Sequence, residues 1–263
     1  MLVHDRRGAG PPLVLIHGIG ARRGAWDPVA ERLAGDRETF AIDLPGFGDS
    51  PSLPLSGELP IGAYVDAVER FFADVGLERP HVAGNSMGGG IALELARRGA
   101  VASATALSPV GFWNQAESVW SRAVLRASRL GAKHAGGLLR RVVASAPGRV
   151  VALGVFYGRP AALDAAVARE DLRMLGAAPA FDRTLGPLGR YRFADGAALD
   201  GVPVTIGWGA RDRLLLYPSQ PRRARAALPR ARHVVLERCG HLPMHDDPDQ
   251  VAALLRVASA RGA

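Results

Sequence analysis

Short apolar runs alternate with amphipathic stretches of helical length over the first 109 residues. The apolar runs predict buried strands at 12–16, 39–42, 81–84 and 102–107, with a further candidate at 2–5. Apolar positions three and four apart predict helices at 25–33, 61–75 and 87–97. The alternation returns after residue 200, with strands at 203–207 and 233–236 and helices at 220–228 and 249–258. Repeated strand–helix units predict a mostly parallel sheet with helices on both faces.

Residues 110–199 interrupt this alternation with a helical pattern. An insertion between two strands is expected to lie as a cap over the carboxyl ends of the strands, where α/β folds bind their ligands. The sequence therefore predicts a core domain formed by residues 1–109 and 200–263, and a helical cap formed by residues 110–199.

The predicted cap is also the basic part of the chain. It contains 13 basic residues against six acidic ones, whereas the whole chain has 33 against 25. Over 118–130, helical periodicity groups apolar residues on one face and arginines on the other. The apolar residues are Val119, Trp120, Ala123, Ala127 and Leu130, and the arginines are Arg122, Arg126 and Arg129. We interpret the arginines as a solvated face, with attraction of an anionic substrate or a membrane surface as the alternative.

Composition narrows the function classes. Of the 263 residues, 48% are hydrophobic and 22% are charged, which is typical of a folded globular protein. The single cysteine, Cys239, excludes an intramolecular disulfide and a multi-cysteine metal site. We find neither an apolar run of membrane-spanning length nor a secretory leader, and no nucleic-acid-binding module accompanies the basic residues. These features predict a cytoplasmic protein without stable membrane association and without a nucleic-acid partner.

The segment Gly84-Asn85-Ser86-Met87-Gly88 matches the pattern G-x-S-x-G between a predicted strand and a predicted helix. A serine at such a tight turn has a strained backbone, and the glycines remove side chains that would collide. The turn predicts Ser86 as a nucleophile and the N–H of Met87 as one oxyanion donor. A phosphate-binding turn or a plain turn is the alternative. The loop after the first strong strand supplies the N–H of Ile19 as the second donor.

A serine nucleophile needs a histidine base that is held by a carboxylate, expected in the chain order serine, acid, histidine. Asp212 and His241 each follow a predicted strand, so both are expected at the carboxyl edge of the sheet. Asp200 and His233 are expected at the opposite edge of the sheet, whereas His245 is the less favoured rival to His241 because it approaches the final helix. His17 is interpreted as a structural histidine and Cys239 as a small packing residue.

These sequence segments occur in the order that is typical of the α/β-hydrolase family, which the chain resembles from about residue 13 to the last helix. The matching segments are His17-Gly18-Ile19-Gly20, residues 43–50, residues 84–88, Gly209-Ala210-Arg211-Asp212 and Gly240-His241-Leu242-Pro243. The resemblance implies an α/β-hydrolase fold whose cap follows the sixth strand, with the usual first strand missing here. It also implies a serine hydrolase that forms an acyl-enzyme without a cofactor.

The elbow also resembles that of hydrolases that cleave carbon–carbon bonds in ring-fission products. Those enzymes have a glycine-rich loop after the first His-Gly and a tryptophan after the catalytic histidine. This chain has Ile19 and Arg22 in that loop and Leu242 after His241. Carbon–carbon cleavage is therefore the second hypothesis.

The sequence predicts an esterase-like hydrolase of a small, hydrophobic acyl substrate. Ser86 would attack, His241 would act as the base and Asp212 would orient it. Phe47 and Trp113 are predicted to line the substrate pocket between the elbow and the cap. Lactone or thioester cleavage by the same triad, and a non-catalytic ligand receptor on the same fold, remain open.

Overall fold

The computed structural model of the protein describes residues 1–194, 196–199 and 201–260. Within these residues, seven strands form one sheet in the order β1-β3-β2-β4-β5-β6-β7. The strands are β1 (His4–Arg7), β2 (Pro12–Ile16), β3 (Glu38–Ile42), β4 (His81–Asn85), β5 (Ser103–Leu107), β6 (Val204–Gly209) and β7 (Arg232–Leu236). β1 pairs antiparallel with β3, and the other neighbouring pairs are parallel. The predicted mostly parallel sheet is confirmed.

The helices either cover the two faces of this sheet, as predicted, or lie in the insertion between β5 and β6. They are α1 (Asp27–Leu33), α2 (Ile61–Val75), α3 (Met87–Arg97), α4 (Gln115–His134), α5 (Gly136–Val142), α6 (Ala146–Leu153), α7 (Ala165–Ala177), α8 (Phe181–Arg190), α9 (Ser219–Ala227), α10 (Pro243–Asp246) and α11 (Pro248–Ser259). Side chains alternate along β2, so that Val14 and Ile16 join the core under α2 and α3, while Leu13 and Leu15 join the core under α1 and α11. Because both faces of β2 are buried, its sequence is a continuous apolar run.

Helices α4–α8, which we call the cap, lie between β5 and β6. The cap was expected after the sixth strand of the family's fold, with the family's first strand missing; in the described residues the cap follows the fifth strand. The chain segments that enter and leave the cap run side by side. The indole N–H of Trp113 donates to the carbonyl of Tyr191 at 3.1 Å. The N–H of Phe193 donates to the carbonyl of Gly111 at 3.2 Å. The base of the cap is thus joined by hydrogen bonds between its entering and leaving segments.

The predicted orientation of α4 is wrong. Val119, Trp120 and Leu130 are 46–52% exposed, whereas Arg129 is only 7% exposed. The guanidinium of Arg129 donates to the carbonyls of Leu175 and Ala178 at the end of α7. On the same buried face, the hydroxyls of Ser118 and Ser121 donate to carbonyls of other segments, those of Gly189 and Leu214. Polar side chains can face inward here because each one pairs with a distant carbonyl, which periodicity alone does not reveal.

Candidate active site

Ser86 occupies the sharp turn between β4 and α3. Its backbone has φ 57° and ψ −114°, a strained conformation for a residue other than glycine. The turn is held because the N–H of Ser86 donates to the carbonyl of Leu107 at 2.9 Å, and the carbonyl of Ser86 accepts from Gly90 and Val110. A Cβ atom on Gly84 would collide with the carbonyl of Gly88, and one on Gly88 would collide with the carbonyl of Ile16. The steric reason given for both glycines is confirmed.

The two predicted oxyanion donors flank this serine. Met87 is the first residue of α3, so its N–H is among those that a helix leaves without an internal partner. Gly18 approaches Ser86 so closely that a Cβ atom on it would lie 3.1 Å from Cβ of Ser86, which brings the neighbouring Ile19 beside the hydroxyl. Within the described part of the chain, the amides of Ile19 and Met87 donate to no other group. Both donors are available to an incoming oxygen.

Asp212 and His241 meet at the carboxyl edge of the sheet, just after β6 and β7. Nδ1 of His241 lies 2.9 Å from Oδ2 of Asp212, and both side chains are almost completely buried. The other carboxylate oxygen accepts the N–H groups of Leu214 and Leu215 at 3.0 and 2.8 Å, which fixes the orientation of the carboxylate. With Nδ1 donating to Asp212, Nε2 is left as the acceptor of a proton.

The Ser86 hydroxyl and the His241 imidazole line the same cavity, although no hydrogen bond joins them in this structure. Such bonds are often long in free enzymes and shorten when substrate binds. The amide of Asn85, next to the serine, donates to the carbonyl of His241 at 2.9 Å, so the two loops are fixed against each other.

The other sequence candidates lie elsewhere. Nε2–H of His233 donates to the carbonyl of Leu228 at 2.8 Å, away from the serine, and Asp200 lies outside the described residues. His245 lines the cavity but makes no hydrogen bond to Asp212. Cys239 is fully buried, and burial raises the pKa of its thiol to about 12, which suits a packing residue.

His17 is a structural histidine by its contacts. Its Nδ1–H donates to the carbonyl of Gly18 at 2.7 Å, and its Nε2 accepts the N–H of Leu44 at 2.9 Å. The bond that Nε2 accepts requires the neutral ring, and burial lowers the pKa of His17 in agreement with it.

Phe47 does not line the substrate cavity, so that prediction is wrong. Its ring is fully buried between His17, at 5.8 Å, and Tyr64, at 6.2 Å between ring centroids. The turn at 43–50 folds this side chain into the core, because a fully apolar ring gains more from packing there than from facing an open cavity. Trp113 borders a small recess of about 10 Å³ that Ser86 and Ile19 also line, and it does not line the larger cavity described next.

The cavity beside Ser86 has a volume of about 340 Å³. Its wall is mainly apolar and comes from the cap and from the Ile19 loop, with Leu125, Leu153, Phe156, Leu172, Leu175 and Leu214 among its residues. At about 30 Å³ for each heavy atom, this space holds roughly ten heavy atoms. A more open groove of about 680 Å³ runs past Pro203 and Ala227, at the opposite end of β6 from Asp212, and is remote from the candidate triad.

Sequence reasoning missed Asp246, which connects the cap to the loop that carries His241. Its buried carboxylate accepts three backbone N–H groups at 2.8 Å, from Gly158 and Arg159 in the cap and from Gly240 beside His241. The N–H of Leu242 also donates to the carbonyl of Phe156 at 3.1 Å. The only signal in the sequence was an acidic residue shortly after the histidine motif, which is not specific.

A family model described as "Alpha/beta hydrolase family" matches residues 13–254, which is most of the chain. The chain belongs to this family. The fold and the resemblance inferred from the sequence are confirmed by this match. Across the described residues, no three or more His, Cys, Asp or Glu side chains are grouped so that they could hold a metal ion. No helix among the residues with described coordinates has both the length and the apolar character needed to cross a bilayer.

Relatives and solved structures agree with membership of this family. The chain is 30% identical over 261 residues to an uncharacterized protein of Mycobacterium bovis, covering 92% of this chain and 73% of that protein. Among solved structures, a bacterial membrane phospholipase A is 29% identical with a TM-score of 0.74, over 99% of this chain and 86% of the other. A meta-cleavage product hydrolase, CumD, has a TM-score of 0.74 at 21% identity, over 99% and 94% of the two chains, and so shows the fold alone.

Proposed function

We propose that this family member is a serine hydrolase that cleaves carboxylic esters through an acyl-enzyme on Ser86. The observation that carries the proposal is the buried hydrogen bond between Asp212 and Nδ1 of His241, which leaves Nε2 free at the cavity that Ser86 also lines. A histidine held in this tautomer can remove a proton from a nearby hydroxyl, which is otherwise a poor nucleophile.

In the proposed reaction, the Ser86 hydroxyl proton passes to Nε2 of His241 while the serine oxygen attacks the ester carbonyl. Asp212 stabilises the imidazolium that forms, and the amides of Ile19 and Met87 donate to the carbonyl oxygen as it becomes negative. The imidazolium then gives the proton to the leaving alcohol. The same histidine next removes a proton from water, whose oxygen attacks the acyl-enzyme. The imidazolium then returns this proton to the Ser86 oxygen as the bond to the acyl group breaks and the acid leaves. A single oxyanion donor is worth about 10²–10³ in turnover.

The cavity suggests the size and polarity of the acyl group. Its apolar wall and volume of about 340 Å³ suit a hydrocarbon chain of roughly eight to ten carbons. Each buried methylene contributes about 0.8 kcal/mol, which corresponds to about fourfold in kcat/KM. We therefore expect kcat/KM for nitrophenyl esters to rise from acetyl to about octanoyl and to fall once the chain exceeds the cavity.

A fluorophosphonate probe tests the nucleophile. The wild type should be labelled, and Ser86→Ala should lose both the label and ester turnover. The matched control is Ser128→Ala, which removes another hydroxyl from the same cavity wall and should keep the label. Labelling of Ser86→Ala at the wild-type level would place the nucleophile elsewhere. Cleavage of a ring-fission diketone in preference to every ester would favour the carbon–carbon alternative.

A further inference from the structure

A second group of titratable side chains lies on the wall of the cavity that Ser86 and His241 share. We call Tyr157, Asp171 and His245 the polar cluster; all three line the cavity. The hydroxyl of Tyr157 donates to Oδ2 of Asp171, and the rings of Tyr157 and His245 lie 6.2 Å apart between centroids. The proposed chemistry at Ser86 uses none of these groups.

The polar cluster lies in a mainly apolar cavity, yet Asp171 has no ion-pair partner and Nε2 of His245 has no hydrogen-bond partner among the described residues. Within the residues that the structure describes, no arginine or lysine forms an ion pair with Asp171; the nearby Arg22 pairs with Glu170 at 3.0 Å. Nε2 of His245 is buried and has no hydrogen-bond partner. Burial raises the pKa of Asp171, which favours its uncharged form. Polar groups in a mainly apolar cavity cost free energy unless a ligand completes their hydrogen bonds.

Few chemical groups on a ligand can form the missing hydrogen bonds of the polar cluster. A plain alkyl chain would cover the polar cluster without pairing any of its groups. A carboxylate or an ammonium would bring a charge into this mainly apolar cavity, where burial also disfavours a compensating charge on Asp171. A hydroxyl can both donate to Asp171 and accept from Nε2 of His245, which has no partner of its own.

We infer that the polar cluster is a subsite for a hydroxyl group on the acyl chain, so that hydroxylated acyl esters are preferred to plain ones of equal length. This inference rests on the proposed ester hydrolysis at Ser86. A hydrogen bond to a charged or strongly polar buried group corresponds to about tenfold in kcat/KM.

The test compares nitrophenyl esters of six-, eight- and ten-carbon acids with a terminal hydroxyl, amino, carboxyl or methyl group. In the wild type, the hydroxylated ester should exceed the plain one about tenfold in kcat/KM at one of these lengths. Tyr157→Phe, Asp171→Leu and His245→Gln should each bring this ratio towards one. The matched control, Glu170→Gln, changes the neighbouring acid, which does not line the cavity, and should keep the wild-type ratio.

Binding provides a measurement that is independent of turnover. Calorimetry with Ser86→Ala should show tighter binding of the hydroxylated acid than of the plain acid at the same chain length. Ester turnover with equal ratios in the wild type and in the folded variants would overturn the subsite and leave the proposed function intact. Absence of turnover and of Ser86 labelling would overturn the proposed function, and the binding ratio would then decide the subsite alone. Preference for the amino or carboxyl ester would also overturn it.

Discussion

The contacts of the Asp246 carboxylate predict that the cap is coupled to His241, the proposed base. Oδ2 accepts from Gly158 and Gly240, and Oδ1 accepts from Arg159, each at 2.8 Å. In Asp246→Asn the amide has a single acceptor oxygen, so at least one N–H loses its partner and faces an NH₂ group. The two bonds that remain lose their charge assistance.

The magnitude follows from two opposing effects. Hydrogen bonds to a charged group contribute about 1.5–3 kcal/mol each, but burial raises the pKa of Asp246 in spite of its three donors, so desolvation offsets part of that gain. We therefore expect Asp246→Asn to lower the free energy of unfolding by about 1–3 kcal/mol. Because Gly240 precedes His241, a displacement of about 1 Å in this loop should lower kcat by about ten- to a hundredfold.

The assay is kcat for a short nitrophenyl ester below the unfolding temperature, together with urea unfolding. The matched control is Asp247→Asn, since Asp247 caps α11 by accepting the N–H of Gln250 at 3.0 Å and asparagine caps a helix equally well. This control should leave kcat and stability near the wild-type values. If Asp246→Asn loses stability but keeps the wild-type kcat, Asp246 only fastens the cap and does not position His241.

Two further predictions concern the framework of the site. Gly88→Ala should prevent stable folding of the turn that holds Ser86, because the added Cβ collides with the carbonyl of Ile16. The control is Gly62→Ala, where nothing lies within 4 Å of the added Cβ, and it should be neutral or stabilise α2 by up to about 1 kcal/mol. Thermal unfolding of the two variants compares them, and a stable, active Gly88→Ala protein would contradict the steric argument. The lowered pKa of His17 predicts that the folded protein is less stable in acid. Above pH 6.5 the His17 ring is neutral in both the folded and the unfolded protein, and just below pH 6.5 only the unfolded chain takes up a proton. The free energy of unfolding should therefore fall as the pH drops from 7.5 to 5.5, less steeply in His17→Gln, while the exposed His134→Gln should keep the wild-type slope.

The core domain was predictable because its signals are local and repeated. α2 and α3 have the predicted bounds 61–75 and 87–97, since each turn of these helices buries an apolar residue against a sheet that itself consists of apolar runs. Residues far apart in sequence could be assigned to one edge because the carboxyl ends of parallel strands meet there. The contact between Asp212 and His241 follows from that rule and from the loops after β6 and β7.

The cap was less predictable because its packing depends on polar contacts between distant residues. Arg129 and Ser121 look like solvent-facing residues in the sequence, yet each is buried against a carbonyl at least 46 residues away. The three residues of the polar cluster likewise come from the segment after α6, from α7 and from α10. Periodicity distinguishes apolar from polar positions, and it cannot distinguish a polar side chain that meets water from one that meets a carbonyl.

The core domain and the cap therefore have separate roles in the proposed function, one in the reaction and the other in the choice of acyl chain. The groups proposed to act on the ester carbonyl lie in the core domain, on turns whose geometry is restricted by glycines and by neighbouring strands. Most of the cavity wall comes from the cap, whose helices also contact one another, as the bond from Arg129 to the carbonyl of Leu175 illustrates. Changes in α4, α6 and α7 should therefore alter which acyl chain is accepted while leaving the proposed proton transfers unaltered. Asp246 is the exception, because the same carboxylate holds both the cap and the loop of His241.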